Sequence, residues 1–203
     1  MSEPRDPLYD VTLVRVRPRT VPQALARLAG WLEAREQGDL VGCFFSELGT
    51  VNQILMLRRF ADIRALLGER AQTPLSADPL GISELTLELT RNIAVAMPDA
   101  GQGPARGPYF EVRTDVLKPG SLGRALHFWQ AALRHASPAF GAYTIAGDRL
   151  SIVHIWPWAT LDERAQLVDD PLPINIWRAA SPSDAPVSQR AEIFRAAAFS
   201  PMQ

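Results

Sequence analysis

Arg17-Pro18-Arg19-Thr20-Val21-Pro22-Gln23-Ala24-Leu25-Ala26-Arg27-Leu28 decides the fold, because 101 residues later the chain reads Lys118-Pro119-Gly120-Ser121-Leu122-Gly123-Arg124-Ala125-Leu126-His127-Phe128-Trp129. Val21, Leu25, Leu28 and Leu32 stand at i, i+4, i+7 and i+11, one face of a helix. Their counterparts Leu122, Leu126, Trp129 and Leu133 are apolar as well. Thr20 and Ser121 stand where an N-cap belongs, and Thr20 with Gln23 has capping-box spacing. A second block matches at a shift of 98: Gly49 with Gly147, Ile54 with Ile152, Leu57 with Ile155, Phe60 with Trp158 and Ile63 with Leu161. Asp62 and Thr160 precede this second helix, and Thr160 with Glu163 again spells a capping box. The shift falls by three (101 − 98), which places a deletion between the first helix and the next strand, where a loop absorbs it. The chain therefore reads as two copies of one α+β unit.

Each copy reads strand, helix, strand, strand, helix, closing strand. The spans are about 9–17, 21–35, 40–48, 51–59, 61–71 and 84–97, then 109–118, 121–136, 139–146, 149–157, 160–169 and 190–199. The stretch 84–97 stays open between strand and helix, since Leu85, Leu87 and Leu89 alternate while Leu85 and Leu89 also share a helix face. The implied domains are 1–98 and 109–203, joined by a Gly/Pro-rich linker at 99–108. The order βαββαβ is ferredoxin-like, an antiparallel sheet with two helices on one face. Ile54-Leu55-Met56-Leu57 and Ile152-Val153-His154-Ile155-Trp156 are apolar at consecutive positions, the mark of strands buried on both sides. The sister sheet is the simplest cover for the helix-free face. The expectation is two tandem units packed sheet to sheet and closing as a barrel, a pseudo-dimer in one chain.

A net charge of -1 supplies no field for nucleic acid or an anionic membrane, so neither partner is expected. Lys118 is the single lysine, which leaves Schiff-base chemistry nowhere else to go. The lone Cys43, inside Val41-Gly42-Cys43-Phe44-Phe45, reads as inert core and excludes an internal disulfide. No secretory-type start and no spanning-length apolar window are present, which makes a cytoplasmic, non-inserted protein the expectation.

Ser46-Glu47-Leu48-Gly49-Thr50-Val51-Asn52-Gln53-Ile54-Leu55, followed by Phe60, resembles the NIPSNAP family, with its Glu-Leu-Gly-x-x-Asn turn and apolar strand. The second copy supplies a similar strand ending, His154-Ile155-Trp156-Pro157-Trp158, then Asp162-Glu163-Arg164. The opening Glu111-Val112-Arg113 through Lys118-Pro119-Gly120 and the closing Phe199-Ser200-Pro201 are similar to family motifs. The first copy departs from them with Met56 and Arg58 where the family often has His and Trp, and the second with Asp115 and Ala146-Gly147-Asp148. The resemblance implies the dimeric αβ-barrel superfamily, whose members include cofactor-independent oxygenases, haem-degrading enzymes and proteins without known activity.

Along 109–118, Phe110, Val112, Thr114 and Val116 form one face, expected beneath the helices. Glu111, Arg113 and Asp115 form the other, expected inside the barrel. Glu111, Arg113, Tyr143, His154 and Trp156 would then line a pocket for a small polar or aromatic ligand. His154 and Arg113 are the candidates for catalysis, since a histidine near a carboxylate moves protons near neutral pH. The competing reading makes them a satisfied, semi-buried core. No cofactor and no metal are expected: His127, His135 and His154 lack ligand spacing. Three functions stay in view: small-ligand binding or scaffolding without catalysis, a cofactor-independent oxygenase, and haem binding through His154. Divergence between the copies (His154 against Met56, Trp156 against Arg58) puts any site mostly in the second. Arg58 and Arg59 fit either a surface pair or a grip on an anion. Monomer and homodimer are both compatible with the sequence.

Overall fold

The structure, a computed structural model, describes residues 7–72, 78–97, 100–101, 107–132, 138–168, 177 and 185–203. The first half runs β1 (Leu8–Val16), α1 (Val21–Glu33), β2 (Asp39–Leu48), β3 (Gln53–Phe60), α2 (Ile63–Gln72) and β4 (Thr86–Ala96). The second runs β5 (Tyr109–Val116), α3 (Leu122–Ala132), β6 (Phe140–Ala146), β7 (Ser151–Trp158), α4 (Leu161–Val168) and β8 (Ser188–Ala196). The strands close one barrel in the order β1-β3-β2-β8-β5-β7-β6-β4. Each half contributes its own antiparallel four, and the seams β2–β8 and β4–β6 weld the two edge to edge. Among the described residues, no strand edge is left to template aggregation.

The two halves share a register. Val11 pairs with Leu57 and Tyr9 with Arg59, while Val112 pairs with Ile155 and Phe110 with Pro157. These are the same offsets of 101 and 98 that the sequence shows. The open segment 84–97 resolves into a short 3-10 turn, Ser83–Leu85, followed by β4. Tertiary pairing decides it: β1 needs a second neighbour along its whole length, and β4 supplies one from Leu8↔Val95 to Arg15↔Glu88. His135, Leu133 and most of the linker lie outside the described residues.

Two capping expectations divide. Thr160 accepts from the Glu163 amide at 3.0 Å, and Asp62 accepts from Arg64 and Ala65 at 2.8 and 2.9 Å, so both cap as expected. Thr20 and Ser121 do not cap through their side chains. Their hydroxyls donate backwards to the carbonyls of Arg17 and Lys118 at 2.7 and 2.8 Å, bracing the turn that enters the helix.

The barrel wall is buried on both sides. Inside, Tyr9, Phe44, Leu57, Phe110, Phe140, Ile155 and Met202 fill one end. Tyr9 meets Phe140 edge-on at 5.1 Å, and Phe44 meets Phe110 at 4.9 Å. Outside, Ala24, Leu28 and Trp31 of α1 cover Val14, Ile54 and Met56, and Ala125 and Trp129 of α3 cover Ile152 and Trp156. The buried stripe of α1 is thus centred on Ala24, Leu28 and Trp31, with Val21, Leu25 and Leu32 half-buried at its margin. Gly49 and Gly147, at φ of 109° and 146°, turn the two hairpins at the other end of the barrel. A Cβ on either would run into the side chain of Glu192 or Asn92, respectively. Among the described residues, no helix is long and apolar enough to cross a membrane.

Candidate functional site

At the hairpin end the barrel interior is a cavity of about 290 Å³. Alternation along each strand builds its lining. Val11, Leu55, Val112, Val153 and Phe194 make an apolar floor shared with the packed core. Thr90, Asn92, Thr114, Ser151 and Ser188 add hydroxyls and an amide above it. Asp148, Arg149, Arg190 and Glu192 form a charged rim. The rim is paired within itself: Arg190 grips Glu192 at 2.9 Å through Nε and 3.0 Å through Nη2, and Arg149 lies 3.4 Å from Asp148.

The pocket expected from sequence is not this one. Glu111, Arg113, Tyr143, His154 and Trp156 lie on the outer face of the wall, and Phe110, Val112, Thr114 and Val116 face inwards, the reverse of the expectation. Both faces of β5 are buried, so alternation alone could not say which set faces the helices. The outer set is brought together nonetheless. Glu111 is fully buried and accepts from Arg113 at 2.9 Å, Arg164 at 3.0 Å and the Trp158 indole at 3.2 Å. Desolvation would raise its carboxyl, but the two guanidiniums outweigh it and the pKa is lowered. Tyr143 is half-buried against Trp129 and its neighbours.

His154, 1% exposed, sits between two partners. Trp156 donates its indole N–H to Nδ1 at 2.5 Å, and Nε2 lies 3.3 Å from Asp115 Oδ2. An indole only donates, so Nδ1 accepts and the proton is on Nε2, the neutral tautomer pointing at Asp115. Burial pushes the His154 pKa down, against the pull of Asp115, which keeps the ring neutral. The Trp129 ring closes over it at 4.4 Å. Burial would push the Asp115 carboxyl up, but hydrogen bonds from His154, Trp177 and Gln189 hold it down. With both nitrogens engaged and no access, His154 offers no axial position to haem and no free base to a substrate in the cavity. The haem expectation is corrected on that ground.

Arg58 is corrected too. It is 1% exposed and paired with Glu69 at 2.9 Å, while Arg59 makes the surface pair with Asp39 at 2.8 Å. Cys43 is buried with its thiol pKa pushed up to about 12, the state of inert core. His127 is exposed on α3. Among the described residues, His, Cys, Asp and Glu side chains form no metal-sized group of three. Sequence reasoning missed Asn92 and Glu192, whose signal was available: Asn92-Ile93 and Glu192-Ile193 stand 100 apart (192 − 92) in the closing strands of the two halves.

The architecture defines a class: an eight-stranded αβ-barrel, packed at one end and hollow at the other. Within it, residues 9–93 match the NIPSNAP family. A NIPSNAP family protein of unknown function from Agrobacterium tumefaciens str. c58 is 26% identical over 43% of this chain and 86% of its own, with a TM-score of 0.36. Over the whole barrel, an anthrone oxidase-like protein covers 100% of this chain and 97% of its own at a TM-score of 0.69 and 11% identity. A suggested monooxygenase from Lactobacillus acidophilus NCFM covers 95% and 94% at 0.62 and 8%. These two likenesses show the shared fold. No curated protein sequence matches the chain.

Proposed function

We propose that the protein binds a small, mainly apolar molecule in the hollow end of its barrel. The observation that carries this reading is the cavity of about 290 Å³ with an apolar floor and a ring of hydroxyl and amide groups. Natural cores pack to crystal-like density, so a recess of this size, open at one end of an otherwise packed barrel, leaves room for a ligand. Its volume falls at the small end of the range for ligand pockets, roughly 300 Å³ upwards. The barrel closes within one chain, so a monomer suffices, and the lone reduced-type Cys43 fits a cytoplasmic setting.

A cofactor-independent oxygenase is the second reading. The fold shared with an anthrone oxidase-like protein supports it. The floor, however, carries no titratable side chain, and His154 and Arg113 lie behind the wall. Binding is therefore the better-supported function.

Titration with β-naphthol, followed by calorimetry, tests it. Saturable binding at one site is expected. Val112→Phe and Val153→Phe, which fill the floor, should weaken it at least tenfold with the circular dichroism unchanged. No heat with the wild type, or floor variants that bind as before, would remove the proposal.

A further inference from the structure

The two hairpins at the cavity mouth are held by residues at equivalent positions, and only one of those residues is charged. In one seam the Asp148 amide donates to Asn92 Oδ1 at 3.2 Å, and Asn92 packs on Gly147. In the other the Thr50 amide donates to Glu192 Oε1 at 2.7 Å, and Glu192 packs on Gly49. A neutral amide therefore does the turn-holding task in one half, and the task does not call for a carboxylate in the other. Two residues earlier the same contrast recurs, Thr90 against Arg190. All four line the cavity. The closing strand on one side of the mouth is thus neutral, beside the exposed hairpin pair Asp148–Arg149, and the closing strand on the other carries an Arg190–Glu192 clamp, with Arg190 also donating to the Thr50 hydroxyl.

From this contrast we infer that Glu192 is a specificity residue that excludes anions from the cavity. Arg190 is half-exposed at the rim and would by itself draw a carboxylate or phosphate towards the mouth. Glu192, 9% exposed on the cavity side of the same clamp, satisfies that guanidinium and presents its own negative charge to anything entering. An anion would have to displace a two-point Arg–carboxylate pair and sit beside the displaced carboxylate. The ligand class is accordingly an uncharged molecule with hydrogen-bonding oxygen at one end, met by Thr90, Asn92, Thr114, Ser151 and Ser188. The inference rests on the cavity being a binding site.

The experiment compares β-naphthol, neutral at pH 7, with β-naphthoate, similar in shape but anionic, at low ionic strength. The wild type should prefer the naphthol at least tenfold. Glu192→Gln keeps an acceptor for the Thr50 amide and frees Arg190. It should cut that preference at least tenfold by strengthening naphthoate. Arg190→Gln, which bares Glu192, should move the ratio the other way. Because the readout is a ratio of two similar shapes, a general loosening of the turn would not move it. Naphthoate binding the wild type as tightly as naphthol, or a ratio that neither variant shifts, would overturn the inference while leaving the cavity reading intact. Absence of naphthol binding would take down the cavity reading and the inference together.

Discussion

Beneath its second helix the first half of the barrel buries two carboxylates in one network of salt bridges, whereas the second half buries one carboxylate among guanidiniums and surrounds another with rings. Under α2, Arg58 pairs with Glu69, Arg91 bridges Glu69 at 3.3 Å and Asp10 at 2.5 Å, and Arg70 reaches Asp10 at 3.0 Å. Burial would raise the Asp10 carboxyl, but Arg91 and Arg70 outweigh it and hold it down. At the matching positions of the second half stand Trp156 for Arg58, His154 for Met56 and Glu111 for Asp10. There one carboxylate is wrapped by Arg113, Arg164 and Trp158, and another is tied to a neutral histidine. One backbone frame accepts either solution, because what it requires is a partner for each buried charge. Polar residues on a barrel strand are therefore no guide to function until their partners are known.

The comparison breaks most visibly at Glu69. Glu69→Ala leaves Arg58 buried without its carboxylate and Arg91 with Asp10 alone, and should cost about 3–5 kcal/mol in urea unfolding. Glu111→Ala should cost less, since Arg113 and Arg164, with side chains 14% and 29% exposed, can turn to water. Equal losses would mean the two networks are not as different as their burial indicates. Next in size is an exchange towards the first-half pattern. His154→Met strands the Trp156 indole and leaves Asp115 with Trp177 and Gln189 alone, at about 1–3 kcal/mol. Adding Asp115→Val, as at Val14, should give a double variant less destabilised than the sum of the singles by about 1 kcal/mol. Simple additivity would show that the two side chains are not coupled.

The smallest effect is a pH slope. The folded-state pKa of His154 is lowered by burial, so below the unfolded value of about 6.5 the unfolded chain binds the proton more readily. The stabilisation is complete above that pH and fades as pH falls through it. The depressed carboxyls of Asp10, Glu111 and Asp115 lose theirs only at more acidic pH, as it falls through their folded values. Urea midpoints at about pH 7.5 and about pH 5 should therefore differ more in the wild type than in the His154→Met/Asp115→Val variant. Identical shifts would assign the slope elsewhere.

Much of the fold was legible in the residues. The spacing of Gly49 and Gly147 and the basic-Pro entries to α1 and α3 mark sites where the backbone tolerates few residue types. Two-sided burial of Ile54-Leu55-Met56-Leu57 pointed to the closed barrel. That same burial hid the site. When both faces of β5 are dry, polarity no longer reports direction, and the charged set proved to be the one facing α4 and Trp177. Trp177 lies 62 residues beyond Asp115, so nothing local announces that they meet. The cavity residues Thr114, Ser151, Asn92 and Glu192 are unremarkable in sequence, and only the strand order gathers them.

Both seams of the barrel, β2–β8 and β4–β6, are intramolecular. A barrel made of two identical chains comes apart on dilution, and any codon change alters both of its rims at once. Here dilution has no purchase, and each rim can change independently of the other. The pairs Thr90 with Arg190 and Asn92 with Glu192 are what that independence produces.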